Sequence, residues 1–289
     1  MNTDTPADTP GRRVDQTLRD AADALASLPQ AAPRLEAELL LTQATGWSRT
    51  RLLAWPEVHL ESAAAARFDT LLARRLAGEP IAYIRGRQAF WTLDLKVTPD
   101  TLIPRPETEL LVEIALELPD PHRPRRVADL GTGSGAIAAA VAGERPAWQV
   151  VATDRSAGAL AVARANFRDL GLANVRPLRA DWLSPIAACS LDLILANPPY
   201  VAAADPHLDQ GDLPHEPRAA LTPGPDGLAA IRRIAAEALR CLRPGGLLAL
   251  EHGFDQGAAV RGLFSDHGVR DPQTRHDLAG LDRVTLGQL

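Results

Sequence analysis

Val127-Ala-Asp-Leu-Gly-Thr-Gly-Ser-Gly135 carries an apolar strand into a glycine-rich turn, and the apolar run from Ala136 to Ala142 continues it as a helix. Glycine lets the backbone turn tightly and approach a ligand without interference from a Cβ atom. A strand, a glycine turn and a helix in this order are typical of a nucleotide-binding α/β fold. The alternative is a turn that only packs helix on strand. We predict that the turn contacts a cofactor through Gly131, Thr132, Gly133, Ser134 and Gly135.

Strand-like and helical segments alternate from about Arg125 onwards. Strands are predicted at Arg126 to Leu130, Gln149 to Thr153, Val175 to Leu178, Leu191 to Ala196 and Gly246 to Glu251. Helices are predicted at Ala136 to Ala142, Ala157 to Leu170 and Leu228 to Leu242. Alternation of this length predicts an α/β fold with a mostly parallel sheet that is covered on both faces.

Two acidic residues narrow the choice of cofactor. Asp154 ends the second strand, where it can bind the ribose hydroxyls of either a dinucleotide or S-adenosyl-L-methionine. Asp129 precedes the first glycine and suits the ammonium group of the methionine moiety, whereas it would repel a pyrophosphate. A turn-capping aspartate remains the alternative for Asp129. The pair favours S-adenosyl-L-methionine, with S-adenosyl-L-homocysteine as the product.

Asp181 and Trp182 follow the presumed third strand. An acid and an aromatic ring at this place can meet the amino group and the ring face of adenine. Trp182 is equally well explained as a core residue, because large aromatic side chains dominate protein cores. We include both among the predicted cofactor contacts.

Leu191-Asp-Leu-Ile-Leu-Ala-Asn-Pro-Pro-Tyr200 ends an apolar strand with four residues suited to a planar NH2 group. Asn197 offers its amide oxygen, Pro198 offers its carbonyl, and Tyr200 offers a ring to stack on the plane. Pro199 stiffens the loop. We predict Asn197, Pro198 and Tyr200 as catalytic, all four residues as substrate-binding, and Asn197 as a further cofactor contact.

The nitrogen of an amide or an arylamine is a poor nucleophile because its lone pair is delocalised. Two acceptors that draw on its hydrogens favour pyramidalisation and aim the lone pair at the donor methyl. Alignment and electrostatic stabilisation would then provide the rate. The tetrad from Asn197 to Tyr200 therefore predicts methylation of a planar nitrogen, without distinguishing glutamine from adenine or guanine.

The first part of the chain predicts a different organisation. We expect a flexible tail over residues 1–13, a helical domain over 14–80, a β-hairpin connector over 81–108 and the catalytic domain over 109–289. The helical periodicity of the second domain places two sets of side chains on buried faces. They are Val14, Leu18, Ala22 and Leu25 in one helix and Leu35, Leu39 and Thr42 in the next, with Gly46 as C-cap and Ser48 as the N-cap of a short third helix.

Bulk properties exclude several classes of protein. The formal net charge of −5 argues against extended contact with a nucleic acid, so no direct nucleic-acid substrate is expected. No run of about 18 apolar residues predicts a membrane span, and the polar N-terminus predicts no secretory signal. Cys189 and Cys241 lack metal-ligand spacing and are interpreted as buried free thiols. We expect a cytoplasmic monomer that binds no metal.

Further stretches of this chain resemble the HemK/PrmC family, the bacterial protein-(glutamine-N5) methyltransferases that modify peptide chain release factors. The segment most specific to that family is Leu102-Ile-Pro-Arg-Pro-Glu-Thr-Glu109. The other matching stretches are Pro33 to Leu41, Gly78 to Tyr83, Asp129 to Gly135, Asn197 to Val201, His215 to Arg218, Arg243 to Gly246, Glu251 to Gly253 and Arg283 to Leu286.

The resemblance implies a Rossmann-like class I methyltransferase domain with a mostly parallel seven-stranded sheet, preceded by a small helical bundle and a β-hairpin. It implies that class I release factors are the partners and that the glutamine of their Gly-Gly-Gln motif is the substrate, so that methylation tunes translation termination. The N-terminal helices would recognise the release factor. Gln88-Ala89 departs from the family pattern, and Arg105 is alternatively explained by a structural salt bridge. Methylation of a ribosomal-protein glutamine or of a base, and a non-catalytic donor-binding scaffold, are the competing hypotheses.

Overall fold

The computed structural model describes residues 11–29 and 31–289 and divides into two compact units that meet in sequence between Arg85 and Gly86. The predicted tail lies outside the described residues as far as residue 10. Its last three residues are not a tail, because the Arg12 carbonyl accepts a hydrogen bond from the Leu60 amide at 2.9 Å and Arg13 bridges to His59.

The described part of the first unit consists of short helices. They are α1 (Val14–Leu25), α2 (Pro33–Thr45), α3 (Arg49–Ala54), α4 (Ser62–Leu76) and α5 (Ile81–Arg85). Gly46 ends α2 in the left-handed region at φ 72°, and the Ser48 side chain caps α3 by accepting from the Arg51 amide, both as predicted. These caps satisfy backbone groups that a helix end leaves free.

The buried face of α2 differs from the prediction. Leu35 is exposed, and Leu39 and Thr42 are only partly buried, whereas the fully buried apolar residues are Ala37, Leu40, Leu41 and Ala44. In α1 the buried alanine is Ala21 rather than Ala22. Two carboxylates share the buried face of α2, since Glu36 pairs with Arg75 and Glu38 pairs with Arg34 and Arg49.

The connector also begins later than predicted. Ile81–Arg85 is the helix α5, so the predicted boundary at residue 80 was wrong, and the hairpin consists of β1 (Arg87–Phe90) and β2 (Leu93–Lys96) alone. The two strands pair antiparallel, with Arg87 opposite Lys96. Pro106 starts a 3₁₀ helix, Pro106–Thr108, at a position where its missing N–H is tolerated.

The second unit contains the seven-stranded sheet. Its strands are β3 (Arg126–Leu130), β4 (Gln149–Asp154), β5 (Val175–Arg179), β6 (Leu191–Ala196), β7 (Leu242–Glu251), β8 (Arg270–His276) and β9 (Asp282–Gln288). Its helices are α6 (Glu109–Leu116), α7 (Ala136–Glu144), α8 (Ala157–Asp169), α9 (Arg218–Leu221), α10 (Ala229–Cys241) and α11 (Gly257–Asp266).

The strand order is β5-β4-β3-β6-β7-β9-β8, and only β9 runs antiparallel to its neighbours. After β3 the chain adds β4 and β5 on one side of β3, and it then forms β6 on the other side of β3. The carboxyl ends of β3 and β6 therefore meet at the topological switch point, where open α/β sheets bind their ligands. This order confirms the predicted mostly parallel seven-stranded fold.

Apolar side chains cover both faces of this sheet. One buried cluster includes Val127, Leu193 and Trp148, and the other includes Leu130, Ile194 and Phe264. Cys241 is buried in the second cluster, but Cys189 is exposed, so one of the two cysteine predictions was wrong. None of the described helices combines the length and the apolar character that crossing a bilayer requires.

Candidate active site

A cavity of about 450 Å³ opens at the carboxyl ends of β3, β4 and β6. Its volume falls in the range of small-molecule sites. Residues from both predicted motifs line it, namely Gly131, Thr132, Gly133 and Ser134 of the turn, Asp154, Asp181 and Trp182 at strand ends, and Asn197 and Pro199 of the tetrad. Asp129, Gly135, Pro198 and Tyr200 are not part of its wall.

The glycine turn is built from residues that need positive φ. Gly131 and Gly133 have φ of 66° and 56°, a region in which side chains other than glycine are strained. A Cβ atom on Gly131 would lie 3.2 Å from the Trp182 ring. A Cβ atom on Gly133 would meet no obstruction, because its nearest neighbour, the Gly131 carbonyl oxygen, would lie 4.0 Å away. The turn thus presents bare backbone to the cavity.

Gly135 has a different role from the one predicted. Its φ is 85°, and a Cβ atom there would approach Phe167 of α8 to 2.6 Å. The residue therefore allows α7 to begin close against α8, and it does not line the cavity. Gly135 is thus a packing position in this structure, and its predicted contact with the cofactor stays a prediction.

Asp154 connects β4 to the glycine turn. Its Oδ2 accepts a hydrogen bond from the Gly133 amide at 3.0 Å, and its Oδ1 accepts one from the Ser156 amide at 2.8 Å. Each carboxylate oxygen can accept a second hydrogen bond. The side chain therefore stays available to a pair of hydroxyls while the backbone holds its orientation.

Asp129 lies behind the turn with only 1% of its surface exposed. Its Oδ2 accepts from the Thr132 hydroxyl at 2.5 Å and from the Ala138 amide at 3.1 Å. These two bonds correspond to the turn-capping alternative. Its Oδ1 has no hydrogen-bond partner among the described residues. Burial, reinforced by the charge of Asp154, raises the pKa of Asp129 to about 7. A buried acceptor without a partner is expected where a cation completes the site.

Asp181 and Trp182 also line the cavity. Asp181 forms a 2.7 Å ion pair with Arg233, and both residues line the cavity. Trp182 adopts φ 51°, lies over Gly131 and packs its partly buried ring against the second core cluster. Trp182 therefore packs against the core and also lines the cavity, and its contact with adenine stays a prediction.

Asn197 is held by a residue outside the tetrad. Its Nδ2 donates to the Thr108 hydroxyl at 3.0 Å, so its amide oxygen is left for another partner. Pro198 is buried, and none of the described residues donates a hydrogen bond to its carbonyl. Neither the Asn197 amide oxygen nor the Pro198 carbonyl therefore accepts a hydrogen bond from the described residues, and their role towards a planar nitrogen stays a prediction.

Tyr200 is placed differently. Its hydroxyl donates to Glu251 Oε1 at 3.1 Å, and its carbonyl accepts from Gln256 Nε2 at 3.0 Å. The ring packs against the second core cluster and is not part of the cavity wall. Burial, together with the charge of Glu251, raises the pKa of the Tyr200 hydroxyl far above its ordinary value.

Two buried groups near the tetrad were missed from the sequence. Thr108 and Glu251 have 4% and 1% of their surfaces exposed. Burial raises the pKa of Glu251 to about 7, and the neighbouring Thr108 hydroxyl opposes that rise. Thr108 belongs to the segment most specific to the HemK/PrmC family, and Glu251 ends β7. Both residues belong to stretches that resemble that family, but the sequence does not indicate their hydrogen bonds to Asn197 and Tyr200.

Arg105 forms a structural salt bridge, which is the alternative role expected for it. Its guanidinium pairs with Glu216, which is buried and also accepts from the Ile103 amide at 2.9 Å. Burial is the largest influence on Glu216 and raises its pKa, while Arg105 favours the charged form. This pair links the segment around Arg105 to the loop that carries His215 and Glu216.

Comparison with known proteins agrees with this geometry. Residues 16–86 match the family model of the PrmC N-terminal domain, and residues 106–216 match that of the methyltransferase small domain. A methyltransferase from Pyrococcus furiosus has a similar fold, with a TM-score of 0.52 at 20% identity, over 76% of this chain and 98% of that one. The fold and the cavity thus define a class I methyltransferase.

Curated relatives narrow the class to a family. Release factor glutamine methyltransferase from Xylella fastidiosa strain Temecula1 is 50% identical over 264 residues, which are 91% of this chain and 96% of that protein. The enzyme of the same name from Escherichia coli K12 is 45% identical over 271 residues, or 94% and 97% of the two chains. This chain belongs to the family of release factor glutamine methyltransferases.

Proposed function

We propose that this enzyme transfers a methyl group from S-adenosyl-L-methionine to the side-chain amide nitrogen of a glutamine, within the Gly-Gly-Gln motif of class I peptide chain release factors. Such methylation would tune translation termination, and it would take place in the cytoplasm where those factors act. The observation that carries the proposal is the orientation of Asn197, whose Nδ2 is engaged by Thr108 and whose amide oxygen is free.

The residues around the cavity fit S-adenosyl-L-methionine. The bare turn from Gly131 to Ser134 accommodates the close approach of a ligand to backbone. Asp154 would accept from the ribose hydroxyls, Trp182 would cover the adenine ring, and the unpartnered Oδ1 of Asp129 would balance the ammonium group, directly or through water. When bound, this donor supplies a methyl group on a positively charged sulfonium.

The tetrad would then hold the nitrogen that receives the methyl group. Asn197 Oδ1 and the Pro198 carbonyl accept the two hydrogens of the glutamine amide, which favours pyramidalisation of its nitrogen. Pro199 stiffens the loop so that these acceptors stay in place. Tyr200 contributes through its hydroxyl contact to Glu251 as well as through any stacking of its ring. Alignment and preorganised acceptors therefore replace a strong base.

Recognition of the release factor is assigned to the first unit. The match to the PrmC N-terminal domain, residues 16–86, covers its described helices except for the first two residues of α1. All residues that line the cavity belong to the second unit, and we propose that the enzyme acts as a monomer.

Asn197→Ala tests the proposed chemistry. We expect at least a hundredfold loss of methyl transfer to a release factor, because one of the two acceptors is lost. Affinity for S-adenosyl-L-homocysteine, measured by calorimetry, should change less than threefold. Asp154→Ala is the matched control and should weaken that affinity more than tenfold. Equal loss of affinity in both variants would assign Asn197 to donor binding and contradict the proposal.

A further inference from the structure

The buried residues Thr108 and Glu251 each contact the tetrad, and Thr108 also lines the cavity. Asn197 Nδ2 donates to the Thr108 hydroxyl at 3.0 Å, and the Tyr200 hydroxyl donates to Glu251 Oε1 at 3.1 Å. The first and last residues of the tetrad are thus each bonded to one member of this pair. Neither Thr108 nor Glu251 forms part of the proposed contacts to donor or glutamine.

The Thr108 hydroxyl is the acceptor in its hydrogen bond with Asn197. A hydroxyl group has one proton to donate and lone pairs to accept with. Because the Thr108 oxygen accepts from Asn197, its own proton needs another acceptor. Glu251 Oε2 is buried without a hydrogen-bond partner among the described residues, and the Thr108 hydroxyl is the neighbour that most favours the ionised form of Glu251. The Thr108 proton and Glu251 Oε2 are thus a donor and an acceptor that both lack a partner among the described residues.

We propose that Glu251 and Thr108 are positioning residues, which act as a relay that fixes the orientation of the Asn197 amide. In this relay Glu251 Oε2 accepts a hydrogen bond from the Thr108 hydroxyl, so Thr108 can only accept from Asn197, and only the Nδ2 end of the amide can face it. Asn197 Oδ1 is thereby directed towards the glutamine. This inference rests on the proposed function, since it explains why the amide of Asn197 presents its oxygen.

The alternative is that Thr108 and Glu251 only stabilise the fold. A structural role would lower thermal stability and would affect every property of the site together. The relay predicts a selective effect, because a rotated or unanchored Asn197 amide would present a donor where the glutamine also has donors. Turnover would fall, while donor affinity, which depends on the turn and Asp154, would persist.

Thr108→Val removes the hydroxyl while keeping the shape of the side chain. We expect kcat for release-factor methylation to fall at least tenfold, with affinity for S-adenosyl-L-homocysteine within threefold of the original. Thr108→Ser restores a hydroxyl and should recover kcat to within about threefold. Thr153→Val is the matched control, because the buried Thr153 hydroxyl has no partner among the described residues. Its kcat should match that of the unmodified enzyme.

Glu251→Leu tests the second step of the relay. If Glu251 acts through Thr108, Glu251→Leu should lower kcat by a similar factor, and adding it to Thr108→Val should cause no further loss. Multiplied losses in the double variant would overturn the relay. So would a Thr108→Val enzyme with kcat within threefold of the original, or a Thr108→Ser enzyme as slow as Thr108→Val.

The side-chain amide resonances of Asn197 provide a readout that needs no release factor. They can be assigned by their loss in Asn197→Ala. We expect them to shift in Thr108→Val and in Glu251→Leu but to stay close to their original position in Thr108→Ser. Unmoved resonances in Thr108→Val would overturn the relay. An unmodified enzyme that methylates no glutamine would instead overturn the proposed function, and these resonances would still decide the relay.

Discussion

Asp129 and Glu251 are carboxylates with 1% of their surfaces exposed, and burial raises the pKa of each to about 7. Both lie at the carboxyl ends of central strands, next to the two motifs. A buried charge is costly unless it is paired or hydrogen-bonded. Each of the two nevertheless keeps one oxygen without a partner among the described residues. These two unpaired oxygens lower the stability of the fold, and both lie next to the motifs to which we assign the function.

The pKa of Asp129 predicts a pH dependence of donor binding. Its pKa is raised to about 7, so the carboxyl is protonated at pH 6 and ionised at pH 8. Only the ionised form attracts an ammonium group. Affinity for S-adenosyl-L-homocysteine should therefore rise about tenfold between pH 6 and pH 8, as the ionised fraction does. Calorimetric titrations across this range measure the effect.

Asp129→Asn is the control for that titration. The amide keeps the shape of the side chain and does not ionise, so affinity should be lower at pH 8 and nearly independent of pH. An affinity that rises equally in both proteins would assign the pH dependence to another group and would remove Asp129 from donor binding.

The residues predicted from strand ends are the ones that the structure places on the cavity wall. Asp154, Asp181, Trp182 and Asn197 each follow a strand, and parallel strands bring their carboxyl ends to one edge of the sheet. Thr108 is 89 residues from Asn197 in sequence, and no local pattern indicates that pair. Contacts between distant segments depend on packing, so the sequence predicts part of the wall and misses Thr108, which lines the cavity and holds Asn197.

At the scale of elements, apolar strands were the easiest to predict. The bounds of β3 and β6 agree with the prediction, since both are mostly apolar runs followed by turn residues. The edge strand β8, Arg270–His276, is polar along its length and offers no alternation to detect. The buried face of α2 was missed because ion pairs place Glu36 and Glu38 inside, which hydrophobic periodicity does not anticipate.

Substitution by alanine should change stability in opposite directions at Gly135, the N-cap of α7, and at Gly143 within α7. Gly135→Ala places a Cβ about 2.6 Å from Phe167 at a φ of 85°, and should lower the free energy of unfolding by about 2–4 kcal/mol. Gly143→Ala meets nothing within 4 Å and should raise it by about 0.5–1 kcal/mol through helix propensity. Urea unfolding at constant pH measures both.

Gly143→Ala serves as the matched control, because it makes the same chemical change in the same helix. Equal stability of the two variants would contradict the packing role assigned to Gly135. A stable Gly135→Ala protein that has lost only its donor affinity would return that residue to the cofactor contacts.

At the scale of the whole molecule, each unit has its own buried core. The core of the first unit is formed by α1 to α5 with the segment around Leu60, and the two clusters of the second unit cover the sheet. The cavity belongs to the second unit alone. Donor binding and recognition of a protein partner are therefore assigned to separate parts of the chain.

A fragment of residues 86–289 tests that division. It should bind S-adenosyl-L-homocysteine within threefold of the affinity of the full chain, since it contains every residue that lines the cavity. Its KM for a release factor should rise at least tenfold, because the proposed recognition helices are missing. Circular dichroism confirms that the fragment is folded. An unchanged KM would show that the first unit does not recognise the substrate.

The most direct test of the central claim is to locate the transferred methyl group. The enzyme is incubated with isotopically labelled S-adenosyl-L-methionine and a purified class I release factor, and the product is analysed by peptide mass spectrometry. We predict one labelled methyl group on the side-chain amide of the Gly-Gly-Gln glutamine, and none when that glutamine is replaced by alanine. Label on another residue, or only on ribosomal protein or nucleic acid, would contradict the account.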